Sequence, residues 1–93
     1  MQPTVIEKET LSDYTFVDHE VLKSQEDIMM RKMNLNRALI LGNAYRRKVK
    51  LVFETTVGLK QVETTIWAVT ERNVILKGGK FIPTQSILKC SVY

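Results

Sequence analysis

QVETTIWAV, residues 61–69, decides how the rest of this chain is read. The run is rich in Val, Thr and Ile, side chains that are stiff at χ1 and pack well on a pleated surface, so it reads as one long strand. Upstream, over 48–55, Val49, Leu51 and Phe53 alternate with Lys50, Val52 and Glu54, the period of a strand with one dry face. ThrThrValGly at 55–58 is the turn between the two. Downstream, a short connection at 70–72 leads to a third strand at 73–76, a fourth at 80–82 and a fifth at 87–93. ProThrGlnSer at 83–86 cannot continue a ladder, because Pro83 has no amide hydrogen to give it.

Between the third and fourth strands stands KGGK, 77–80. A nucleotide-binding phosphate loop needs a glycine five positions before its GlyLys pair and a hydroxyl residue after it. Val74 and Phe81 occupy those positions here. The glycine pair therefore reads as a hairpin turn, whose central residues need positive φ. Lys77 and Lys80 flank it and can hold a phosphate as point charges.

From His19 to Leu41 apolar residues at Val21, Leu22, Ile28, Met29, Leu35, Leu39 and Ile40 recur at helical spacing, with Asp18 as a candidate cap and Gly42–Asn43 as a natural stop. Asn34 and Asn36 leave open whether this is one helix or two meeting there. Met29, Met30 and Met33 are expected as pliable packing, with a functional surface as the alternative, and Trp67 as core, with an outward stacking platform as its alternative. A helix followed by five short strands predicts a mainly β, α+β domain built as a small five-stranded antiparallel barrel, closed or half-open, and closure would remove exposed edges. Ninety-three residues enclose one such core.

The net charge of +4 conceals an asymmetry. Residues 1–29 carry seven carboxylates against two lysines, while 30–93 carry twelve bases against three acids. Residues 1–17 are thus an acidic arm, expected to be partly disordered, with Tyr14, Phe16 and Val17 as docking residues, ahead of a single domain at 18–93. The arm is a candidate to fold back on the basic body and compete with a polyanion there.

Other classes are excluded by what the chain lacks. The longest apolar run is the four residues 38–41, too short for a membrane span or a secretory signal, so a cytoplasmic location without membrane partners is expected. Cys90 has no second cysteine and reads as a small buried hydrophobe; His19 has no second histidine. No catalytic set, metal or cofactor site is expected, and hence no enzyme.

Arg46, Arg47, Lys48 and Lys50 cluster beside Tyr45, the pairing of cations and an aromatic expected for nucleic acid. The order of a helix, five short bent strands and IleProThrGlnSerIle at 82–87 resembles the SH3-like small barrels, and within them the Sm-like RNA-binding proteins, which carry an N-terminal helix. ArgAsnValIleLeu at 72–76 is similar to the stretch opening the third Sm strand, where an asparagine contacts a base. The resemblance covers roughly residues 34–93 and implies RNA binding with Asn73 as the base contact; where the family has a basic residue followed by glycine, this chain has ProThrGlnSer. Two functions stay open. One is a module for single-stranded RNA or DNA in which Arg46, Arg47, Lys48, Lys50, Lys77 and Lys80 neutralise phosphates; the other is a protein-interaction or homo-oligomeric assembly module without a nucleic-acid ligand.

Overall fold

A computed structural model describes residues 2–92. One helix, α1 (Gln25–Tyr45), runs unbroken through Asn34 and Asn36. Its cap is Ser24 rather than Asp18: the Ser24 hydroxyl accepts the Asp27 amide at 3.0 Å, and Glu26 and Asp27 sit in the first turn, where the helix dipole favours negative charge. Gly42 and Asn43 do not stop it. The chain leaves the helix at Arg46, in the left-handed conformation at φ 55°, with its amide on the Gly42 carbonyl at 2.9 Å. Gly42 serves packing instead, since a Cβ there would lie 2.9 Å from the Ile66 carbonyl oxygen and 3.1 Å from the Thr65 methyl. Its absence lets the helix rest on the backbone at 65–66.

The strands are β1 (Thr4–Val5), β2 (Val49–Thr55), β3 (Gly58–Thr64), β4 (Ile66–Val69), β5 (Asn73–Leu76), β6 (Phe81–Pro83) and β7 (Ile87–Val92). They form a four-stranded sheet in the order β1-β3-β2-β7, with β1 parallel to β3, and a three-stranded antiparallel sheet β4-β5-β6. The expected five-stranded barrel, closed or half-open, is therefore not closed: the α+β fold has two open sheets. The stretch 61–69 is the cause. Thr64, Thr65 and Ile66 are all buried, at 4%, 9% and 0% exposure, and a flat strand turns every second side chain outward. Burying three in a row requires a corner, so Thr65 leaves the ladder, and its carbonyl accepts the Lys77 amide at 2.9 Å. Beyond the corner Ile66 takes the core and Trp67 faces outward, 51% exposed, which corrects its expected burial.

The two sheets share one core, in which Leu35 and Ala38 of α1 join Leu51 and Phe53 of β2, Ile66 of β4 and Leu76 of β5. The helix packs on β4 and on β7, one edge strand from each sheet, and so covers edges that closure would remove. Its buried stripe is Arg31, Leu35, Ala38 and Gly42. Met29, Met30 and Met33 lie elsewhere around the helix and are exposed, not core. Both expected turns form: Gly58 has φ 108° where β2 meets β3, and Gly78 and Gly79 have φ 91° and 88° between β5 and β6. The fourth expected strand shifts by one residue, so that Lys80 precedes β6 and Pro83 ends it; β6 is an edge strand, where the missing amide costs no ladder bond. Tyr93, the end of the fifth expected strand, lies outside the described residues.

The N-terminal arm makes specific contacts. Thr4 and Val5 run beside Lys60 and Gln61, and a 3-10 segment at Lys8–Asp13 places Leu11 in the core. Phe16 then lies 5.7 Å from the ring of Phe53. Cys90 is buried, and that burial pushes its thiol up to about 11. Among the described residues no helix is long and apolar enough to cross a membrane.

Candidate nucleic-acid interface

The corner at Thr65 also makes a groove. Because the chain turns there, the end of β3, the outward Trp67 of β4 and the start of the β5–β6 turn converge at the C-terminal end of α1. The resulting open groove, about 570 Å³, is lined on one side by Asn43 and Arg46 from the helix end and by Lys48 at the entry to β2. Lys77 and Trp67 line it beyond the corner, Glu63 and Thr64 at the end of β3, and the arm supplies Glu7, Lys8 and Glu9 as a further wall.

Arg46, Lys48, Trp67 and Lys77 are all exposed. The ion pairs formed among the described residues join Lys8 to Glu9, His19 to Asp18 and Arg31 to Glu20, so Arg46, Lys48 and Lys77 present charge that none of these carboxylates has taken. A hydrogen bond from Lys8 keeps the exposed Glu9 carboxyl below its ordinary value, and the more distant charge of Lys80 adds a smaller pull in the same direction. Lys8 itself reaches over the glycine turn, its Cε 3.6 Å from where a Cβ on Gly78 would stand.

Of the seven residues singled out in the sequence, the groove brings together Arg46, Lys48 and Lys77. Arg47 is exposed just past the helix cap and is not on its walls. Lys50 is half-buried on β2, across from Glu63 of β3 and Ser91 of β7. Lys80 lines a different, mainly apolar cleft with Leu11, Tyr14, Phe16 and Phe81. Asn73 lies in a third cleft with Glu20, Arg31, Arg72 and Thr84, and its backbone closes the β4–β5 turn, donating to the Thr70 hydroxyl at 3.0 Å and accepting the Thr70 amide at 2.8 Å. The groove also holds Lys8, missed because it sits in an acidic segment, and Trp67 in the outward orientation that was the alternative to core, since alternation shows that it opposes Ile66 without showing which of the two points inward.

Compared with protein-family models, with curated proteins and with solved structures, the chain gives no match.

Proposed function

We propose that this protein is a non-enzymatic module that binds single-stranded nucleic acid along the groove at the end of α1. The observation that carries the proposal is Trp67, half exposed, on the same groove as three cations that take no part in the ion pairs formed among the described residues. An indole face accepts any base by stacking, and a stacked base is worth about 1–3 kcal/mol. Arg46 offers a forked pair of donors to a phosphate, and Lys48 and Lys77 act as point charges.

The helix contributes nothing attractive here. Its C-terminal carbonyls carry partial negative charge and disfavour an anion, so side-chain cations must supply all of the electrostatic attraction. Binding of this kind is strongly salt-dependent, because each phosphate neutralised releases counterions. Arg47, Lys50 and Lys80 add to the surrounding field without touching the groove, and Asn73 is left to its turn. The strand order also supports a finer view of the fold: β7-β2-β3, continued past Thr65 by β4-β5-β6 with a 3-10 turn at Thr84–Ser86 before the last strand, is an SH3-like order opened at the corner.

Titration of labelled single-stranded RNA and DNA by fluorescence anisotropy tests the proposal. With three phosphates neutralised, affinity falls about twentyfold for a fourfold rise in salt. Trp67→Ala lowers it by about a further tenfold at either salt. Absence of binding at low salt, or binding that ignores both salt and Trp67, would reject it.

A further inference from the structure

Helix α1 carries two apolar stripes. Leu35 and Ala38 face the core. Met29, Met33 and Ile40, spaced by four and seven residues, are 61%, 56% and 64% exposed. At 3.6 residues per turn these three fall within roughly 40° of one another, on the side of the helix away from the buried stripe. Met30, 53% exposed, borders them. Single exposed apolar side chains are ordinary, but an aligned set along one helix marks a contact surface, and methionine adapts readily to a partner's shape.

We propose that this outer stripe is the contact of a two-fold homodimer in which the α1 helices of two copies pack antiparallel. The charges beside the stripe favour a second copy as the occupant. Glu26 and Arg37 are both exposed, three turns apart, and within roughly 20° of each other around the helix, so they stand on the same rim of the stripe. A two-fold axis perpendicular to the helix keeps each rim together and reverses chain direction. Glu26 of one copy then meets the partner's Arg37, and the symmetry repeats the pair. The axis that makes this pair lies midway between positions 31 and 32, which is also the midpoint of Met30 and Met33. One register therefore satisfies the charges and sets Met30 and Met33 against the partner's Met33 and the partner's Met30. Parallel packing, with the two-fold along the helices, would set each rim against the opposite one, leaving Glu26 and Arg37 without each other, and would align the helix dipoles unfavourably. Lys32, on the other rim, stands roughly 80° from the centre of the stripe, far enough for both ammonium groups to extend into water.

In this register Ile40 lies opposite position 23, before the partner's α1 begins, so the two stripes overlap over positions 29–34, about 8 Å. That is short for a standard interface, so the dimer forms in the micromolar range or weaker. Sedimentation equilibrium of the whole chain over a wide concentration range tests it, with circular dichroism melts checking that each surface variant folds. The wild type shows a concentration-dependent monomer–dimer equilibrium. Met33→Glu weakens it on the order of a hundredfold. Glu26→Arg or Arg37→Glu alone weakens it about tenfold, because each breaks two symmetric pairs, and the double variant returns to within about threefold of wild type. A wild type that stays monomeric at about 1 mM, a dimer indifferent to Met33→Glu, or a double reversal that fails to restore association would each overturn the proposal.

Discussion

Two clefts near opposite ends of α1 both contain arginine, and they use it in opposite ways. In the cleft beside Asn73, Arg31 is buried at 6% exposure and grips both oxygens of Glu20, with Nη1 to Oε2 at 2.6 Å, while donating also to the Ile87 carbonyl at 3.0 Å. Its two arginines, Arg31 and Arg72, face two carboxylates, Glu20 and Glu71. In the groove at the other end, Arg46, Lys48 and Lys77 face only Glu63 once the arm is set aside. The first cleft spends its charge on holding the helix to β7 and to the segment before it. The second leaves its three cations out of the ion pairs formed among the described residues. Counting basic residues therefore says little about binding until the carboxylates that answer them are placed.

The contrast is broken most severely at Arg31. Arg31→Ala leaves Glu20 without its forked partner and the Ile87 carbonyl without that donor. It should lower stability by about 2–3 kcal/mol in urea unfolding, a value reduced from that of a fully buried pair because Glu20 remains a third exposed. The same pair has a pH signature. Hydrogen bonding from Arg31 is the largest cause holding the Glu20 carboxyl below its ordinary 4.5, against an opposing contribution from burial. A carboxyl depressed in the folded state stabilises the protein above its unfolded value and loses that contribution as pH falls through the folded one. Wild-type stability should thus fall on acidification below about pH 4.5, and the Arg31→Ala protein should show a shallower fall across the same window.

At the other end the expected pattern inverts. Lys48→Glu with Lys77→Glu should leave unfolding within about 0.5 kcal/mol of wild type, since both side chains are exposed. Binding of single-stranded nucleic acid should fall on the order of a hundredfold at low salt and lose part of its salt slope. A loss of stability matching the loss of binding would show that the two ends of the helix are not divided in this way.

How far this division could be foreseen follows from what periodicity reports. Helix, hairpin turns and the alternation of β2 are local properties, and KGGK adopts the positive φ that its two glycines suggest. The corner at Thr65 is not local, because it exists to bury three consecutive residues against elements distant in sequence. Gly42 carries the chemistry of a stop, yet its role is set by the backbone of 65–66 on another strand. For α1 the apolar pattern fits two opposite faces, and only the core selects Leu35 and Ala38 over Met29 and Met33. Arg46, Lys48 and Lys77 were visible as cations, whereas their convergence depends on the corner; Arg31 passed unnoticed because its partner lies eleven residues earlier, in a segment outside the helix.

The smallest expected effect concerns the arm, which places Glu7 and Glu9 on the wall of the groove. The arm is anchored away from those carboxylates, by Leu11 in the core and by the Phe16–Phe53 contact, so removing all of residues 1–17 would disturb the fold together with the charge. Glu7→Gln with Glu9→Gln changes charge alone. Lys8 then loses the carboxylate that holds it and adds to the cations around Trp67. Affinity for single strands should rise about threefold to tenfold at low salt, and the gain should shrink as salt screens the arm. Because both carboxylates are exposed, unfolding should not change measurably. Equal affinity with and without the two charges would mean that the arm only packs beside the groove and leaves its field untouched. A gain in affinity would make the acidic arm and the basic body parts of one competition for the same three cations.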